Sequence, residues 1–187
     1  PDQFSAITRE MDVQTAAAQA YQREADAIGL SQEYINKLKN GELDIEEITD
    51  KDLHEKIKNY QEWQDKVEEC TDKIQDLKAD LANLAQEKLD KLMAQFEFIT
   101  QQIEHANRQA EFTRNTGNWA AGYSAINNQI ENTYSNIANL QQQLATAQNM
   151  LNEAAKYGVE QGSEQWQNMV NNVNSIQEAL LEAQEAI

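Results

Sequence analysis

The feature that most constrains this chain is a long stretch without glycine or proline in which apolar residues recur at alternating spacings of three and four. The stretch runs from Leu53 to Ala110. Such spacing places apolar side chains along one side of a helix, as in coiled coils. The predicted seam consists of Leu53, Ile57, Tyr60, Trp63, Val67, Cys70, Ile74, Leu77, Leu81, Leu84, Leu92, Phe96, Ile99, Ile103, Ala106 and Ala110. A helix this long is unstable alone, so it must pair with other helices along most of its length.

The long helix is predicted to run from about Thr49 to Arg114. Thr49 begins a Thr-Asp-Lys-Asp pattern that resembles a capping box, with Asp52 in place of the preferred glutamate. The seam loses register between Leu84 and Leu92, where Lys88 and Leu89 compete for the inner position. We interpret this loss as a stutter, which changes the supercoil locally without breaking the helix.

Shorter helical segments precede the long helix. The first is predicted from about Asp2 to Ile28, with Gly29 at its carboxyl-terminal cap. A helix of about two turns follows, capped by Ser31 and closed by Gly41, and residues 43–48 form another turn or two.

A clear turn signal separates the long helix from a second arm. Residues 115–118 read Asn-Thr-Gly-Asn, and helical spacing resumes at Trp119. Glycines near 158–163 predict a break, after which Ser163 can cap a final helix that carries Trp166, Val170, Val173, Ile176, Leu180, Ala183 and Ile187. Tyr134 is among the residues predicted to lie on the inner side of the second arm.

The predicted helices and the turn between the two long arms indicate an all-α fold. We expect an elongated antiparallel helical hairpin or coiled-coil bundle of about four helices. Residues 1–48 would form the first helix and short elements. Residues 49–187 would form the hairpin, with its tip near 115–118 and the whole chain in one structural unit. The alternative architecture is parallel self-association of the long arm, because the seam does not select an oligomeric state.

Charge excludes several classes of partner. The net charge is −17 and no cluster of Lys and Arg occurs, which argues against nucleic acid and anionic membranes. No run of about 18 apolar residues predicts a membrane span. The single cysteine cannot form an internal disulfide, and the start at Pro1 favours an excised or processed segment.

The residues that carry chemistry show no catalytic, cofactor or metal-binding pattern. His54 and His105 lack the Glu-x-x-His spacing of carboxylate metal sites. Cys70 lies on the apolar seam among acidic neighbours, which favours packing over nucleophilic reactivity. The sequence therefore predicts a non-enzyme without cofactor, and an enzyme or metal protein is the least favoured alternative.

One group of aromatic residues is a candidate contact surface. Phe112, Trp119 and Tyr123 flank the predicted hairpin tip, where a partner protein could bind. The competing interpretation is that Trp119 only plugs the core at the tip. The other two tryptophans, Trp63 and Trp166, fall on apolar seams and are expected to pack inward.

Two passages resemble the tail tape measure proteins of long-tailed bacteriophages, especially phages and prophages of Firmicutes. The first runs from GLSQEY at 29–34 through NGELDIEEITD at 40–50 to YQEW at 60–63. The second is GSEQW at 162–166, followed by an Asn-rich amphipathic helix. Together they cover about half of the chain, and they include no catalytic motif.

The resemblance implies a structural segment of a very long helical protein. Such proteins lie in several copies in the tail lumen of the virion, set tail length during assembly, and leave before DNA passes. Implied partners are further copies and tail-tube or assembly proteins. A hairpin folds back, so it spans about half the length that the same residues would span as one extended helix. The segment could therefore be an end domain, or a compact form that differs from the form inside the tail. The alternative is a generic coiled-coil interaction or adaptor domain, soluble in the cytoplasm or secreted.

Overall fold

The computed structural model describes the backbone of residues 2–116 and 119–185. Side chains are described for these residues except at 103, 107, 110, 113, 114, 116, 119–126, 128, 129, 132, 133, 136, 140, 179 and 182–185. The elements are helices α1 (Gln3–Ala27) and α2 (Gln32–Lys39), a 3₁₀ turn (Ile45–Glu47), and helices α3 (Lys51–Thr116), α4 (Trp119–Lys156) and α5 (Glu164–Glu185). The described part of the chain contains no strand, and the predicted all-α fold of packed helices is confirmed.

The ends of α1 and α3 are fixed by short polar contacts and one glycine. Asp2 caps α1, because its Oδ1 accepts a hydrogen bond from the Phe4 backbone N–H at 3.3 Å. Gly29 follows α1 with φ +70°, a left-handed conformation that glycine adopts without steric cost. The cap of α3 is Asp50, whose Oδ1 accepts from the backbone N–H groups of Asp52 and Leu53 at 3.0 and 3.3 Å.

Two predicted caps need correction and one is confirmed. Thr49 does not cap α3, because Asp50 offers a carboxylate one residue closer to the free N–H groups. Ser31 lies at the cap position of α2, but its side chain makes no capping hydrogen bond. Ser163 does cap α5, since its Oγ accepts from the Trp166 backbone N–H at 3.2 Å.

The chain packs into two compact units, residues 1–80 and 81–187, whose boundary lies within α3. In the first unit, α1 runs antiparallel to residues 51–80 of α3. Tyr21 stacks on Trp63 at 5.7 Å between ring centroids, and the Gln64 Nε2 donates to the Gln22 Oε1 at 3.3 Å. Farther along the pair, Asp26 acts electrostatically on Tyr60. Residue numbers therefore increase along α1 while those of the neighbouring residues on α3 decrease, as in an antiparallel pair.

In the second unit, the remainder of α3 packs with α4 and α5 around one core. Gln165 donates to Asn83 at 3.1 Å and Asn172 donates to Asp90 at 3.3 Å, both across 82 positions, so α5 runs parallel to α3. Residues 88–95 of α3 and 143–150 of α4 line one cavity, which fits an antiparallel α3–α4 pair. The core comprises Ala85, Leu89, Leu92, Phe96, Ile99, Ile137, Leu144, Ala147, Leu151, Met169, Val173 and Ile176. The predicted tip residues Gly117 and Asn118 lie outside the described residues.

Burial resolves the register that the sequence left open. Leu89 is 1% exposed, so it occupies the inner position for which Lys88 competed. On α5, Met169 is fully buried, whereas the predicted seam residue Val170 is only partly buried. Tyr134 is 50% exposed, so its predicted inner position on α4 is wrong. Residues at the edges of an apolar helix stripe can be either buried or exposed, and the packing of the neighbouring helices determines which of them are buried.

We expect Ile176→Ala to lower the free energy of unfolding of the second unit by about 2–5 kcal/mol, because removing a fully buried aliphatic side chain leaves a cavity. Leu181→Ala on the same helix is the matched control. Leu181 is 58% exposed, and its replacement should change stability by no more than about 0.5 kcal/mol. Urea unfolding followed by circular dichroism measures both, and equal effects would contradict the described packing of α5.

Candidate functional site

The three aromatic residues predicted at the hairpin tip are described to different extents. Phe112 lies in the last two turns of α3 and is 70% exposed. Trp119 is the first residue of α4 and Tyr123 lies in its second turn, but their side chains are outside the described set. Whether the three residues form one contact surface stays a prediction.

The residues weighed for chemistry lie far from one another along α3. His54 is half-buried in the first turn of the helix, whereas His105 is exposed near its other end. Cys70 is a free thiol, 6% exposed, as its place on the seam predicts. Among the described residues, no group of three or more His, Cys, Asp and Glu side chains is arranged to hold a metal ion.

Within the described residues, no helix combines the length and the apolar character that crossing a membrane requires.

In the first unit, an aromatic pair and a lysine join α1 to α3. The Lys66 Nζ lies 4.2 Å from the ring centroid of Trp63 and 5.7 Å from that of Tyr21. The ammonium group therefore faces the electron-rich surfaces of two stacked rings, a favourable cation–π arrangement. The sequence predicted Trp63 on the apolar seam of α3 but gave no signal for Lys66, because that contact depends on how α1 and α3 pack. The cluster strengthens this helix pair, and its cation position is already filled by Lys66.

Close to that cluster lies the one buried tyrosine with a perturbed pKa among the described residues. Tyr60 is 6% exposed. Burial raises the pKa of its hydroxyl above the ordinary value near 10, and the negative charge of Asp26 raises it further. Both effects oppose formation of a phenolate, so Tyr60 acts as a neutral packing residue at physiological pH.

In the second unit, α3 and α4 border a groove with a cavity of about 280 Å³. Its floor is apolar, formed by Leu92, Ala147 and Met150, each 5% exposed. Its rim is polar, formed by Lys88, Lys91, Gln95, Gln143 and Thr146. We call this cavity and its rim the α3–α4 groove.

The charges at the groove are partly balanced. The Lys91 Nζ lies 2.6 Å from Glu87 Oε1, and this ion pair lowers the pKa of Glu87. Both side chains are well exposed, so solvent weakens the pair. What the groove offers is an apolar floor with amide and ammonium donors above it, an arrangement suited to receiving an apolar side chain of a partner.

Sequence reasoning missed both the groove and Phe98, an α3 residue that is 59% exposed. Phe98 lies seven residues after Lys91 and seven before His105, outside the predicted seam. The seven-residue spacing places Lys91, Phe98 and His105 on a second side of α3, and this spacing was the sequence signal for an exposed row that includes Phe98. Met150 was missed because α4 has several apolar residues near the edge of its stripe, and the packing of α3 selects among them.

The raised pKa of Tyr60 predicts a loss of stability at high pH. The folded state keeps this proton over a range in which the unfolded chain has lost it. The stabilisation is therefore complete below the unfolded pKa near 10 and is lost as pH rises through the folded pKa. We expect Tyr60→Phe to flatten the decline in stability as the pH rises above about 10, and Asp26→Asn to flatten it partly. Urea titrations across this range measure the slopes, and a Tyr60→Phe slope equal to that of the unaltered chain would contradict the assignment.

Comparison with protein-family models, with curated proteins and with solved structures found no match to this chain.

Proposed function

We propose that this chain is a structural, non-catalytic helical segment of a phage tail tape measure protein, which acts in tail length determination and tail assembly. The proposal starts from the resemblance of residues 29–63 and 162–166 to such proteins. It places the segment in the tail lumen of the virion, with tail-tube or assembly proteins as partners.

The observation that carries the proposal is the continuous helix α3, which extends over 66 residues. An α-helix rises by about 1.5 Å per residue whatever its sequence, so residue number converts directly into length. A protein that measures length needs this constant conversion. Continuous helix with a narrow apolar seam provides it with few large core residues.

The charge of the chain also supports the proposal. With a net charge of −17, the chain repels the phosphate backbone of DNA. A protein that occupies a tube through which DNA later passes benefits from weak affinity for that DNA. Acidity alone does not distinguish this role from that of an adaptor domain, so length is the property to test.

The antiparallel packing of α3 and α4 raises a specific question about reach. If the second unit keeps this packing inside a tail, residues 117–187 add little axial length beyond α3. If the helices are extended end to end, the same residues add about 105 Å at 1.5 Å per residue. A compact form that extends during assembly reconciles the folded-back unit with a measuring role.

Tail lengths in the phage that encodes this segment test the proposal. We expect deletion of residues 1–187 to shorten tails by about 280 Å if the segment is extended. Deletion of residues 117–187 alone should shorten them by about 105 Å in the extended form and far less in the folded-back form. Electron microscopy of negatively stained particles measures both.

Val13→Ala, at an exposed position of α1, is the control and should leave tail length unchanged. Tails of normal length after deletion of the whole segment would contradict the proposal. That result would favour a coiled-coil interaction or adaptor domain.

A further inference from the structure

The exposed surface of α3 in the second unit divides into two sides of opposite character. Four carboxylates, those of Asp90, Glu97, Glu104 and Glu111, recur every seven residues and form an acidic stripe. The position after each carboxylate is occupied by Lys91, Phe98, His105 or Phe112. Because successive residues of a helix point about 100° apart, these two rows lie on different sides of α3.

The structure relates both rows to the neighbouring helices. Asp90 of the acidic stripe accepts a hydrogen bond from Asn172 of α5 at 3.3 Å. Lys91, with Lys88 and Gln95, instead lines the α3–α4 groove. We define the acid-poor face as Lys88, Lys91, Gln95, Phe98, Gln102 and His105 of α3, together with the α4 side of the groove. Glu87 lies on the same side of the helix, at one end of this face, and is paired with Lys91 at 2.6 Å. On α4, no charged residue occurs from Asn132 to Asn152, so this part of the groove is free of carboxylates.

We propose that the acid-poor face is the surface through which a second copy of this chain binds. A chain with net charge −17 repels its own copies, and that repulsion is smallest where the facing surfaces carry few carboxylates and these are paired with lysine, as Glu87 is with Lys91. Phe98 gives this face a large apolar side chain that is 59% exposed, beside a cavity with an apolar floor. Contact between copies removes Phe98 from water and leaves the amides of Gln95 and Gln102 to form hydrogen bonds across the interface.

The composition of the face favours a second copy over an acidic partner protein. Most of it is amide and aromatic, and of its two lysines Lys91 already pairs with Glu87 at 2.6 Å. An acidic helix therefore gains little there. A twofold axis near Phe98 makes the same face meet itself in an antiparallel sense. Lys88 of one copy then lies about 30 Å along the helix from Lys88 of the other, so the lysine ends do not repel strongly.

The inference is independent of the proposed role in phage tails, and sedimentation equilibrium of the full chain tests it. We expect a concentration-dependent dimer. Gln95→Glu should raise its dissociation constant by about tenfold or more, because it places two like charges within the interface. Gln75→Glu, at an exposed position of α3 in the first unit and outside the proposed face, should leave the constant nearly unchanged. Raising the ionic strength should restore part of the affinity of the Gln95→Glu variant.

A second pair of variants tests the apolar part of the face. Phe98→Asp should abolish the dimer, whereas Val13→Asp, at a residue of α1 that is equally exposed at 58%, should not. Circular dichroism should show unchanged helicity in both variants, since both side chains are exposed. A chain that sediments as a monomer at every concentration would overturn the inference. Equal weakening by Gln95→Glu and Gln75→Glu, or a dimer that survives Phe98→Asp, would place the contact on another surface and also overturn it.

Discussion

The structure depends on the burial of one narrow apolar seam along α3. A helix of 66 residues with so few large side chains cannot remain folded alone in water. The seam is covered by α1 in the first unit and by α4 and α5 in the second, where Leu89, Met169 and Ile176 are almost completely buried. The described salt bridges are pairs within one helix at exposed positions. Apolar burial therefore provides most of the stabilisation between helices.

Much of this fold could be predicted from the sequence because helix patterns are local. Gly29, the break after Lys156 and the alternating spacing of α3 each depend on residues within a few turns of one another. The errors arose where two adjacent residues compete. Asp50 caps α3 rather than Thr49, and Met169 is buried in preference to Val170. Such choices depend on side-chain geometry and on the neighbouring helix, which periodicity does not contain.

The candidate surfaces were harder to predict than the helices. A groove exists only after α3 and α4 pack, so the joint lining by Lys88 and Met150 has no signature in either segment alone. The cation–π contact of Lys66 with Trp63 has the same origin. The predicted tip surface was chosen from aromatic residues close in sequence, whereas Phe98 stands out by its exposure in the folded unit. Its spacing from Lys91 and His105 could have indicated a second side of α3 with its own character.

The second unit is built on an antiparallel pair, α3 and α4, which share a core. The most direct test is a spin-label distance between positions 95 and 143, introduced by Gln95→Cys and Gln143→Cys in a Cys70→Ser background. Both residues line the same groove, so we expect the labels to lie within about 25 Å of each other, the sum of two neighbouring helix diameters. If α3 and α4 were one continuous helix, the same positions would be about 72 Å apart, and a distance in that range would contradict the antiparallel pairing.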